Sequence, residues 1–160
     1  MAKTNIQTSF IDYAATQTDE RTPAVALPTY RPMSWVLSKG FAKVINLTGK
    51  CGLAEGDWVA IYAGQINRPE QAVRYESFLD GVQVEVNPPT GVVAVARLGG
   101  FLTDSDDPFF LGFFGAFLED VLELREPFLP QEYGRTPRVL GPSDRIGLAE
   151  AIKATEESKC

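Results

Sequence analysis

The chain has 160 residues, 44% of them hydrophobic and 22% charged, which is enough apolar material for one folded core and too much for a disordered chain. Fifteen Lys and Arg against 21 Asp and Glu leave a formal charge of -6, so no diffuse basic field gathers phosphates and nucleic acid is not an expected partner. With no histidine, every triad built on an imidazole base, every His-ligated metal site and every imidazole pH switch is excluded.

Residues 1–32 read as an extended N-terminal arm. The first 22 are rich in hydroxyls (Thr4, Thr8, Ser9, Thr16, Thr18, Thr22) and have few large apolar groups beyond Ile6, Phe10, Ile11 and Tyr13, and Pro23, Pro28 and Pro32 then bar helix. Met1 to Phe10 lacks the apolar run of a secretion signal, so no export is expected. From Met33 the pattern changes to short β-rich runs bounded by turn residues: Met33–Ser38, Phe41–Leu47, Asp57–Ala63, Ala72–Leu79, Val82–Asn87 and Gly91–Leu98. Asp80-Gly81 suits a type I′ turn, which would pair Leu79 with Val82, Tyr75 with Val86 and Glu76 with Glu85 in a hairpin. The expected fold is mainly β (α+β), a small antiparallel β-barrel or sandwich with the extended arm and one or two helices toward the C-terminus.

Phe109–Leu124 spaces its apolar residues at 110, 113, 114, 117, 118, 121 and 122, a helical period, behind an Asp107-Pro108 start; Gly112 and Gly115 and the phenylalanines speak for strand. The spacing predicts a helix. The longest strongly apolar stretch, within this segment, is far shorter than the ~20 residues that span a bilayer, so no membrane partner is expected. Residues 33–126 thus read as a β-rich body with an aromatic segment. Residues 127–160 read as a proline-rich extended segment and a final helix, capped by Ser143, that turns Ile146, Leu148, Ala149 and Ile152 inward.

No constellation announces a reaction, and the expectation is a non-enzyme with no catalytic residue, no metal and no cofactor. Asp104-Ser105-Asp106-Asp107 opens like a calcium loop, but the continuation puts Pro108 and Gly115 where ligands belong. Glu119, Asp120, Glu123 and Glu126 have the spacing of a wetted helix face. Gly49-Lys50-Cys51-Gly52 lacks the frame of a phosphate loop, and Cys51 and Cys160 have neither metal nor redox spacing. Two alternatives stay open: a ligand- or sugar-binding β-barrel using Trp35 and Trp58, and a carboxylate enzyme centred on Asp104–Asp107 or Glu119–Glu126. Five phenylalanines in nine residues (Phe109, Phe110, Phe113, Phe114 and Phe117) exceed what one face of a small β-domain needs, so a share of them is expected to seal an interface together with Ile6, Phe10 and Tyr13 of the arm.

The arrangement of arm Met1–Pro32, β-body Met33–Leu98 and aromatic segment Phe109–Leu124 resembles the head decoration, or cement, proteins of tailed bacteriophages. Gly52-Leu53-Ala54-Glu55-Gly56-Asp57-Trp58-Val59 is similar to a turn-into-strand found in small β-barrel modules, phage ones included. The resemblance implies a structural protein of the virion, assembled in the host cytoplasm. It would be a homo-oligomer, trimer favoured, whose arm clasps the major capsid protein or another virion protein.

Overall fold

The computed structural model describes residues 21–131 and 137–159. Six strands form one mixed sheet in the order β2-β5-β4-β3-β1-β6. In chain order the elements are β1 (Val25–Arg31), α1 (Met33–Ser38), β2 (Val44–Asn46), β3 (Trp58–Asn67), α2 (Gln71–Phe78), β4 (Gly91–Leu102), β5 (Gly115–Phe128), β6 (Arg138–Val139) and α3 (Pro142–Ser158). The mainly β, α+β class is the observed one. The sheet is open rather than closed into a barrel, and it is not purely antiparallel, because β1 runs parallel to β3.

β3 and β4 sit in the middle of the sheet, and their near-continuous apolar runs bury both faces. Val59, Ile61 and Ala63 point into one core with α1, α2 and Phe109, while Ala60 and Tyr62 point into a second core with Leu148 and Ile152 of α3. Each fully buried Leu or Ile of these cores contributes about 1.5–3 kcal/mol. α3 is further tied to β5 by Thr155, whose hydroxyl donates to the Ala151 carbonyl and accepts the Arg125 backbone N–H at 2.8 Å each.

Several expectations are corrected. Residues 25–31, read as part of the arm, are extended but lie inside the sheet, paired with β3 on one side and β6 on the other. Residues 1–20 of that arm lie outside the described residues. Met33–Ser38 is helix rather than strand: Met33, Val36 and Leu37 bury a face at i, i+3, i+4 spacing. Gln71–Phe78 is also helix, burying Ala72 and Tyr75 while Val73 faces solvent. The expected hairpin therefore does not form. Gly81, at φ 73°, turns the chain out of α2, and 82–87 is irregular.

Phe109–Leu124, predicted helical, is a loop running into strand β5. Within β5 the apparent 3.6-residue period reflects irregularities of the β4–β5 ladder between Arg97 and Leu98 and between Leu98 and Phe101, which switch the face to which its even-numbered residues point. Ala116 and Leu118 then face the first core, and Leu122 and Leu124 the second. Asp107 still acts as a local cap, its carboxylate accepting the Phe109 N–H at 2.8 Å, but what it starts is a turn. The C-terminal helix begins with Pro142 in its first turn behind Gly141, not with a Ser143 cap; Leu148, Ala149 and Ile152 are buried as expected and Ile146 only half so.

Candidate functional site

The β1–β3 ladder runs in register from Val25↔Val59 to Thr29↔Ala63, breaks, and resumes at Arg31↔Asn67. Gly64, Gln65 and Ile66 therefore swing out of the ladder opposite Tyr30 alone. Arg31 recovers the stranded carbonyls: its guanidinium donates from Nε to Gly64 O and from Nη2 to Gln65 O, both at 3.1 Å. Nη1 reaches across to Pro88 O at 2.9 Å and Asn87 Oδ1 at 3.2 Å, fastening the 85–89 loop to the same point.

The displaced segment forms one wall of a cavity of about 650 Å³. The opposite wall comes from β2, although β3, β4 and β5 separate β2 from β1 in the sheet. The sheet must coil strongly for its diagonal corners to meet, as right-handed strand twist favours. Met33 and Leu37 of α1 and Tyr75 of α2 complete the lining, with Leu111 and Gly112 at one margin. Asn46 holds that margin in place. Its Nδ2 donates to Phe109 O at 2.8 Å, and its Oδ1 accepts the N–H groups of Leu111 and Gly112 at 2.9 and 3.1 Å.

Among the described residues, no charged side chain lines the cavity. An ionised guest would lose its hydration without a counter-charge, whereas an uncharged apolar one is favoured by every wall. Part of the polar lining is already engaged: all three Asn46 bonds are internal, and the Thr29 hydroxyl donates to Tyr62 O at 3.3 Å. Tyr75 is not engaged in this way. Its ring is buried at 5.7 Å from that of Phe109, and no hydrogen bond to another described residue engages its hydroxyl. Burial pushes its phenol above the ordinary tyrosine range, against the opposing pull of Arg74 and Arg68.

The predicted interface residues are sorted by the fold. Phe109 is 2% exposed and belongs to the first core, edge-on to Phe78, so it cannot seal an interface. Phe110 packs partly against that core, and Phe114 stacks on Phe101 with centroids 5.6 Å apart. Phe113, 93% exposed, and Phe117, 48% exposed, do face outward. Ile6, Phe10 and Tyr13 lie outside the described residues, as does Cys160.

The other candidates do not converge. Trp35 leans on the first core and Trp58 on the second, on opposite faces of the sheet, so they form no shared stacking platform. Among the described residues, no group of three acidic or thiol side chains is placed to hold a metal ion. Glu119 pairs with Arg97 at 3.3 Å and Glu123 with Lys39 at 2.9 Å, both at the surface. No described helix is long and apolar enough to cross a membrane. No protein-family model matches the chain, and no curated protein matches it either.

Proposed function

We propose that this chain is a non-enzymatic binding protein whose cavity takes a small, uncharged, largely apolar or aromatic ligand. The observation that carries the reading is a volume of about 650 Å³, inside the ~300–1,000 Å³ range of small-molecule sites, walled by Met33, Leu37, Val44, Ile45 and Tyr75, with no charged side chain in the lining among the described residues. Affinity for such a guest comes from apolar area removed from water, at roughly 25 cal/mol per Å² before the costs of association. Selectivity against ions comes from the desolvation penalty.

A matched pair of probes tests it. Quinoline and N-methylquinolinium have similar shapes and differ by a permanent charge. The neutral probe should shift the amide resonances of Thr29, Ile66 and Gly112 on titration, and the cation should not. A Cβ atom at Gly112 meets no atom nearer than 3.6 Å, so Gly112→Ala is expected to fold, and the larger Gly112→Leu to weaken binding by filling the margin. Equal response to both probes, or none to either, would contradict the reading.

A second reading is favoured by a separate observation. Phe113 and Phe117 are exposed near β2, the edge strand of the sheet among the described residues, where apolar surface of this kind marks a protein contact. On this reading the protein is a structural component of a viral particle, a decoration protein docking on capsid subunits. Co-sedimentation with a capsid shell, lost in a Phe113→Ser, Phe117→Ser double variant that keeps its melting temperature, would support it. Binding unaffected by that variant would remove the role assigned to this edge.

A further inference from the structure

The geometry points to Tyr75 as the residue that selects among ligands of this cavity, by donating its phenolic hydrogen to an acceptor on the guest. The inference rests on the small-ligand reading and narrows the ligand class to neutral, flat molecules with a ring nitrogen or carbonyl near one end.

Tyr75 is one of two buried tyrosines that line the cavity, and its hydroxyl has no hydrogen-bond partner among the described residues. The residue is buried but its hydroxyl oxygen is not fully so, and a guest in the cavity can take over the hydrogen bond that this phenol makes with water. The α2 helix could have presented an apolar residue at this position; a phenylalanine would keep the contacts to Phe109. The hydroxyl is therefore a polar group left over by the fold at the wall of an apolar space, the usual arrangement by which such sites fix orientation. Its environment also keeps it protonated through the neutral range, so it acts as a donor. The flat shape follows from the aromatic lining, Tyr30, Tyr62 and Tyr75, together with Gly64 and Gly112, which add no side-chain bulk. Tyr30 is itself held by Arg68, whose guanidinium carbon sits 4.6 Å from its ring centroid.

The test is a two-by-two comparison in the full-length chain. Quinoline and naphthalene share a bicyclic shape, but only quinoline carries an acceptor. Both are titrated against the native chain and Tyr75→Phe. The expected result is that Tyr75→Phe lowers the quinoline affinity about 2- to 12-fold while naphthalene changes little, since one neutral hydrogen bond is lost and the apolar contacts remain. The ratio of the two affinities cancels any general loosening of the cavity, so a merely structural role for Tyr75 would leave it unmoved. An unchanged ratio with both probes still bound would overturn the role of Tyr75 and leave the small-ligand reading standing. Failure of both probes to bind the native chain would overturn both. Should Tyr75→Phe fold poorly, the same ratio measured with Tyr75→Met must also fall toward that of naphthalene, and a ratio that stays native would count against the inference.

Discussion

The cavity depends on a close approach between backbones that one methyl group should disrupt. A Cβ atom at Gly115, the first residue of β5, would stand 2.5 Å from the carbonyl oxygen of Ile45 in β2 and 3.3 Å from the ring of Phe110. Side-chain Cβ atoms do not come nearer than about 3.0 Å to such neighbours, so Gly115→Ala must drive the strands apart by at least about 0.5 Å. The atom in the way is backbone and cannot rotate aside. β2 is a three-residue strand that pairs only with β5 among the described residues, and is the element better able to move. Overpacking of this kind costs about 1–3 kcal/mol, and relieving a strand of glycine returns about 0.5–1 kcal/mol, leaving a net loss centred near ~1 kcal/mol and no larger than about 2.5 kcal/mol. For a domain of this size each kcal/mol lowers the melting temperature by about 2–4 °C. Gly100→Ala is the internal control, since its added carbon meets nothing within 4 Å. Differential scanning calorimetry of the two variants gives the answer. A Gly115→Ala chain as stable as the native one, or no less stable than Gly100→Ala, would refute the close approach, and with it the position of Ile45 and Asn46 in the cavity wall.

Three further outcomes follow from the same geometry. Arg31→Ala should lose about 1–3 kcal/mol in urea denaturation by freeing both the 64–66 segment and the 85–89 loop, and Arg31→Lys should not restore it because one ammonium cannot serve carbonyls on several sides; full rescue by lysine would contradict the clasp. Asn46→Ala should cost about 1–3 kcal/mol and Asn46→Asp less, because the carboxylate keeps both acceptor contacts to Leu111 and Gly112 and loses only the donor to Phe109; the same denaturation midpoints rank them, and an Asp variant as weak as Ala would be against it. The raised phenol of Tyr75 makes stability fall as pH rises above its ordinary value of 10.0, since there the unfolded chain loses the proton first; below that pH the contribution is complete. Tyr75→Phe should remove this part of the alkaline loss, and parallel stability profiles for the two chains between about pH 9 and 11 would show the phenol to be unperturbed.

The strands at the heart of the sheet were legible because β3 and β4 carry unbroken apolar runs, Trp58 to Ala63 and Val92 to Ala96, a pattern that needs no register to be recognised. The C-terminal helix was legible for the opposite reason, since Leu148, Ala149 and Ile152 return at helical spacing on one face. Between these, the reading went wrong where two periods overlap. Val73 and Tyr75 alternate as in a strand, yet Ala72 and Tyr75 are three apart, and only the sheet's need for a cover on that face decides for helix. The phenylalanine segment misled in the other direction, because ladder irregularities in β5 imitate a helical repeat. The cavity had no local signature. It needs a ladder break at Tyr30, a coil that brings β2 across three strands, and Asn46 reaching back to residues more than sixty positions away. Tyr75 was expected opposite Val86 in a hairpin, where the structure has it on α2.

The most direct measurement is an intermolecular NOE experiment on methyl-labelled protein mixed with quinoline. The small-ligand account predicts contacts from the probe to the methyl groups of Met33, Leu37, Val44 and Ile45, residues that come from two separate elements and meet only around this space. Contacts confined to Phe113 and Phe117 at the β2 edge, or none at all, would contradict it.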